Sequence, residues 1–322
     1  MTQPLTPAGA VWPPLLVDSW TDTRETLHMM TQIVGKVQMA CTPLVNQWWN
    51  VAFELSARGI RTNTMSAEGR AFDAEFDFVA EELVLRTSDG LRAAVALRPR
   101  PIAEFYAEFR SALVHMEIYV DIQAAPNEVE NPIPFAEDTT HRAYDADAVR
   151  TFWQQLVQAD RVLNLWRAGF AGKGSPVQIW WGGLDMACTL FSGREAPPHP
   201  GGAPHCPKWV NLEAYNRQCA SGGFWPGGSG EGVFYAYCYP QPDGYSDRPA
   251  GPDGAHWDKS LGEFVLPYEV VTQSQDPDAT VLHFLQSTYE AAADLANWDR
   301  RLFDVNPARL DPEIKAANRN RI

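Results

Sequence analysis

The sequence predicts an α+β fold of two related halves, each an antiparallel β-sheet backed by helices, related by a pseudo-twofold internal duplication. Three observations carry this expectation. The pairs Trp48–Trp49 and Trp180–Trp181 stand at matching places in the two halves. Each pair follows a long segment of helical periodicity and opens a stretch of period-two alternation. Each stretch is closed by a further segment of helical periodicity. The boundaries that follow are a first half at 12–123, a linker at 124–144, a second half at 145–298 with a loop insertion at 195–232, and a tail at 299–322. The chain of 322 residues is long enough for the halves to share one compact unit.

In the first half, residues 22–40 read as a helix with Leu27, Met30, Val34 and Val37 on one face, and Asp22 with Glu25 as its capping box. Residues 48–61 alternate through Val51, Phe53 and Leu55 as a strand, and Phe72, Ala74, Phe76 and Phe78 as another. Leu83 and Leu85 mark a third, and the turn Ser88-Asp89-Gly90 leads to a fourth at 93–97, the spacing of a meander. Pro101 opens a helix that buries Phe105, Phe109 and Leu113, and a strand at 117–122 ends the half.

The segment 124–144, rich in proline and acids, reads as the linker. A second long helix at 147–168 carries Phe152, Leu156, Ala159, Leu163 and Trp166, and Gly172-Lys173-Gly174 stops it. Strands are expected at 177–181, 186–191, 233–239 and 263–271. Asp276-Pro277, a cap followed by proline at the first helical position, starts the closing helix through Leu282, Leu285, Tyr289 and Ala292.

Composition limits the function classes. A net charge of −14 opposes general nucleic-acid binding, which needs clustered Lys and Arg, and also an anionic membrane surface. Residues Met1 to Ala10 lack the basic and apolar regions of a signal peptide, and no window approaches the roughly 18 apolar residues of a membrane span. Five cysteines without a CxxC motif read as free thiols of a reducing cytoplasm. Twelve Trp and 25 Pro point to a rigid, loop-rich protein.

The insertion at 195–232 holds His199-Pro200-Gly201-Gly202 and Phe224-Trp225-Pro226-Gly227-Gly228. A structureless loop of that length is usually functional or disordered, its aromatic and proline content argues for order, and its glycine pairs permit close backbone approach to a ligand or positive φ. Two tight turns that cover the sheet are the plainer reading. No strand–glycine-rich loop–helix surrounds either pair, so no nucleotide cofactor is nominated. There is also no GxSxG nucleophile elbow, and Ser175 has no evident partner.

Titratable groups recur beside the aromatic segments. His28 and Gln32 share one helix face, with Lys36 a turn further on, and His283, Ser287 and Glu290 form a similar face on the closing helix. The bland reading is hydrogen-bonded structural polarity. The sharper one gathers His28, His199 and Glu290 as general acid/base groups of a common pocket. Gln32, Lys36, Trp48, Trp49, Trp180, Trp181, Asp185, Phe224 and Trp225 would bind substrate there. His199, His205 and Cys206 match no standard zinc spacing.

Several motifs resemble a bacterial family catalogued as a domain of unknown function, number 5996. They are Trp12 through His28, Gln32 and Lys36, the tryptophan pair, Phe76-Asp77-Phe78, Pro132-Ile133-Pro134-Phe135, the two glycine-rich loops, and Phe284-Leu285-Gln286-Ser287-Thr288-Tyr289-Glu290. The resemblance spans 12–298 and brings no activity. It implies histidines in relatives where this chain has Gln47, Asn50 and Glu81, and hence a metal site that would here be oxygen-rich or absent.

Two function classes remain. One is an enzyme acting on a small organic molecule in an aromatic-lined pocket by general acid/base chemistry. The other is a non-catalytic small-ligand-binding or scaffold protein using the same aromatics.

Overall fold

A computed structural model describes residues 12–305, so the expectations for Met1 to Ala10 and for the tail beyond residue 305 lie outside the described residues. The first half runs α1 (Val17–Ala40), β1 (Glu54–Leu55), β2 (Gly59–Arg61), β3 (Met65–Ala67), β4 (Arg70–Asp77), β5 (Glu82–Thr87), β6 (Arg92–Ala96) and α2 (Ile102–His115). The second runs α3 (Ala146–Ala168), β7 (Lys173–Gly174), β8 (Gln178–Trp180), β9 (Asp185–Glu195), α4 (Lys208–Ala214), β10 (Arg217–Trp225) and β11 (Val233–Tyr239). It continues through β12 (His256–Asp258), β13 (Glu263–Pro267), α5 (Tyr268–Thr272), α6 (Pro277–Leu295) and α7 (Arg300–Phe303). The strands form two antiparallel sheets, β1-β2-β4-β5-β6 with β3 on β4, and β12-β13-β11-β10-β9-β7 with β8 on β9. Both halves thus follow the order helix, antiparallel meander, helix. No helix among the described residues is long and apolar enough to cross a membrane.

The halves join at the tryptophan segments. Phe53 and Ile179 exchange backbone hydrogen bonds of 2.8 and 2.9 Å in an isolated antiparallel bridge, and one hydrophobic cluster runs through both sheets and the helices between them. In the second sheet the strand period of two separates its faces. Cys188, Leu190, Ala220, Phe224, Phe234 and Ala236 belong to the buried cluster, where Leu285 of α6 comes within 2.5 Å of the place a Cβ on Gly222 would take. Their neighbours Thr189, Ser221, Tyr235 and Tyr237 face the opposite way, into a cavity.

Several expectations are corrected. Helix α1 begins at Val17, not at Asp22, because Val17 and Trp20 are buried and extend the apolar face, and Leu16 precedes it with no side-chain cap. Residues 48–61 are not one strand: Gln47 and Trp48 take left-handed φ values of 50° and 65°, and strand pairing begins only at Glu54. Residues 117–122 pair with no strand, and the expected strand 263–271 stops at Pro267, where α5 begins. Gly169, rather than Gly172-Lys173-Gly174, ends α3, whose cap is Asp145 accepting from the amides of Asp147 and Ala148. Asp276 caps α6 with Pro277 behind it, as its sequence demands.

The largest correction concerns 195–232, which is not a structureless loop. It contains α4 and β10, a central strand whose Ala220-Ser221-Gly222-Gly223 run hides its periodicity. The residues are small because α6 packs against Gly222 on one side and the Tyr235 ring crowds Gly223 on the other. The linker is also structural, since Phe135 and Asp138 are fully buried, and Asp138 accepts from the amides of Thr140 and His141. Residues 299–305 are docked rather than trailing: Phe303 stacks on Phe170 at 5.3 Å, and Ala171 donates to the Phe303 carbonyl.

Candidate functional site

Between the halves lies a cavity of about 810 Å³, within the range of small-molecule sites. Its walls come from the end of α1, the turn carrying Trp48 and Trp49, the extended chain at 121–128, the β8–β9 turn, α4, and the free face of the second sheet. The four tryptophans of the two pairs line it, and so does Trp209, which sequence reasoning passed over. The left-handed turn at Gln47 and Trp48 swings the Trp48 ring to 5.3 Å from Trp209, and its indole N–H donates to the Val210 carbonyl at 3.0 Å. Trp181 is wedged against α1, its indole N–H bonded to the Val51 carbonyl at 2.9 Å. Gly35 makes that seat, for a Cβ there would lie 2.4 Å from the indole ring.

Behind the second tryptophan pair, Gly182 and Gly183 open room for two carboxyl groups. A Cβ on Gly182 would meet the Glu128 carboxylate at 2.5 Å, and one on Gly183 would meet Asp185 Oδ1 at 3.0 Å. Burial pushes the Asp185 acid up to about 6, against the hydrogen bond that Tyr235 donates to it. Glu128 is raised to about 7, first by burial and then by the charge of Asp185. Its side chain lines the cavity and stays more than a third accessible, while its carboxyl lies against the Gly182 backbone. Glu263, next in the same acidic group, is raised to about 7 by burial and by Asp185. Acids poised this close to neutrality can both donate and accept a proton at physiological pH.

The polar face of α1 holds this arrangement in place. The His28 ring nitrogen Nε2 sits 3.1 and 2.9 Å from the carbonyls of Trp181 and Gly182, so it carries the proton and donates to them. Burial lowers His28 to about 4, which keeps the ring neutral. Gln32 pairs with the backbone of Asn127 in both directions, donating to its carbonyl at 2.6 Å and accepting from its amide at 2.9 Å. Lys36 donates to Gln123 at 3.0 Å and to the Asn127 side chain, and burial lowers its ammonium to about 8. One helix face therefore grips both segments that carry Asp185 and Glu128.

Of the residues expected to act on substrate, Lys36, Trp48, Trp49, Trp180, Trp181 and Asp185 line the cavity. Gln32 and His28 stand behind its wall as positioning residues. His199 lies outside the lining, stacked on Tyr215 at 4.2 Å. Glu290 is bound by Arg300 and Gln286 on the far helix of the second half, so His28, His199 and Glu290 do not assemble into one site. Phe224 is fully buried on the helix-facing side of β10, and Trp225 packs over Gly227, so neither reaches the cavity. His283 covers Gly251, and Ser287 accepts from the Gly251 amide, which accounts for the polar face of α6 as a loop anchor. Ser175 is buried and accepts from the Thr189 amide.

The metal site implied for relatives does not fit these residues. Gln47 donates to Asn216 and accepts from Lys173, Asn50 bonds Thr42, and Glu81 is held by Arg150 and Tyr144. Among the described residues no group of three or more His, Cys, Asp or Glu is placed to hold a metal ion. His205 and Cys206 line the cavity, whereas His199 does not.

Sequence reasoning missed Glu128, Asn127 and Gln123, because a proline-rich acidic stretch reads as linker. It missed Tyr235 and Tyr237 as site residues because β11 reads only as a strand. The available signal was Gly182-Gly183 directly after a tryptophan pair, a backbone cleared for something to approach. No curated protein and no solved structure matches the chain. The model of the Family of unknown function (DUF5996) matches residues 12–305, and the chain belongs to that family.

Proposed function

We propose that the protein is an enzyme acting on a small organic molecule by general acid/base chemistry, with Asp185 and Glu128 as the proton-transferring groups. The observation that carries this reading is the pair of carboxyl groups raised to about 6 and about 7 at the edge of one aromatic cavity of about 810 Å³. Tyr235 orients Asp185, while His28 and Gln32 fix the segments that bear the two acids. The aromatic walls exclude water and position the ligand. The reading includes a cytoplasmic, reducing setting, supported by five unpaired cysteines, and no nucleic-acid partner, supported by the net charge of −14.

The test is incubation of the purified protein with small-molecule extracts, followed by mass spectrometry. The expected result is depletion of a compound by the wild type and its survival with Asp185→Asn, whose affinity for that compound stays within about threefold, since the amide keeps the shape and loses the proton. Binding without turnover by the wild type would favour the ligand-binding alternative.

A further inference from the structure

We propose that the ligand of this cavity is an organic cation, an ammonium, amidinium or guanidinium group on a compact apolar body. The proposal rests on the acid/base reading of the site and adds the chemical class that the site selects.

Two independent features of the walls support it. The first is charge. Asp121, Glu128 and Asp185 face the cavity, against one ammonium, Lys36, and the ring of His205. Lys36 is taken up by Gln123 and Asn127, and His205 sits beside the Glu130 carbonyl at 3.2 Å. Asp185 has the Tyr235 hydroxyl as its side-chain partner, and among the described residues neither Asp185 nor Glu128 forms an ion pair. Two carboxyl groups at the cavity edge therefore have no cationic side chain beside them and are open to one carried by a ligand. Burial shifts both toward the protonated form, and a cation beside them would oppose that shift.

The second feature is the aromatic surface. Indole and phenol faces attract cations, and here they already do so at the margin of the site. Lys173 Nζ lies 5.2 Å from the Trp49 ring centre and 5.1 Å from that of Phe191, and Lys36 Nζ lies 5.9 Å from Trp181. Among the described residues no cation covers Trp48, Trp180 or Tyr237, which also line the space. A ligand cation could rest on these rings with its charge toward Asp185 and Glu128. Its arrival would favour the ionised acids, so binding near neutral pH would release protons.

The experiment compares matched pairs by titration calorimetry: benzyltrimethylammonium with neopentylbenzene, phenethylammonium with phenethyl alcohol, and benzamidinium with benzamide. At least one cation should bind about tenfold tighter than its neutral counterpart, about 1.4 kcal/mol, the contribution expected chiefly from its attraction to the two carboxylates. The preference should disappear in the double variant Asp185→Asn with Glu128→Gln, which should still bind the neutral compound and keep the wild-type circular dichroism spectrum. Calorimetry in buffers of different ionisation enthalpy should show proton release with the wild type alone. Neutral compounds binding as tightly as every cation would overturn the cation assignment and leave the small-molecule cavity standing. Failure of both members of every pair would overturn the assignment together with the pocket reading beneath it.

Discussion

Asp185→Asn should make the protein more stable at neutral pH and leave it unchanged in acid. The Asp185 carboxyl is raised from 3.8 to about 6 in the folded chain, chiefly by burial. Between those values the folded state holds a proton that the unfolded state has released. Stability from this group is therefore complete below pH 4 and is lost as pH rises through 6. A shift of that size corresponds to at most ~3 kcal/mol, and the access of cavity water to the half-buried carboxyl brings the expected gain to about 1–3 kcal/mol. Asparagine keeps an oxygen for the Tyr235 hydroxyl but cannot ionise, so its advantage should grow from near zero at about pH 4 to its full value above about pH 6. Urea denaturation of both proteins across that range reads the difference directly. An advantage independent of pH, or a variant less stable at pH 7, would refute the claim that the folded site disfavours the ionised acid.

Other perturbations separate positioning from chemistry. Gly35→Ala gains roughly 1 kcal/mol of helix propensity, but it drives a Cβ into the Trp181 ring, a strain of about 1–3 kcal/mol, and threatens the indole hydrogen bond to Val51. Overpacking should win, lowering the thermal midpoint by several degrees; an unchanged or raised midpoint would contradict the tight seat. His28→Gln should remove part of the acid sensitivity, because His28 is depressed from 6.5 to about 4. Its contribution is present above pH 6.5 and lost as pH falls toward 4, so the variant's stability loss over that window should be smaller than the wild type's. Trp209→Ala, at the exposed mouth, should change stability by no more than about 0.5 kcal/mol while weakening aromatic ligands several-fold in a fluorescence titration. Equal ligand affinity in that variant would remove α4 from the site.

The parts of the fold with strong periodicity were legible. The alternation through Phe72, Ala74 and Phe76, the helix carrying Phe152 to Trp166, and the Asp276-Pro277 start all depend on local patterns that the structure keeps. Strand β10 was hidden because its residues answer to tertiary packing: Gly222 is small to admit Leu285, a contact separated from it by much of the second half. The same reason divides the site. The tryptophan pairs announced a cavity wall, whereas Glu128 gains its meaning only from the Gly182 backbone brought against it. His28 and Gln32 were visible as one helix face, yet their role depends on which carbonyls that face meets. His199 and Glu290 drew attention by residue type alone, and in three dimensions aromatic and arginine neighbours occupy them.

The proposed chemistry requires Asp185 and Glu128 to titrate close to neutrality at the cavity edge. Side-chain carboxyl carbon NMR, with both signals assigned by substitution and followed from pH 3 to pH 9, measures this without a substrate. They should titrate near 6 and 7, with Glu128 moving lower in Asp185→Asn because the charge of Asp185 helps to raise it. Titration of both groups near the ordinary carboxyl value of about 4 would contradict it.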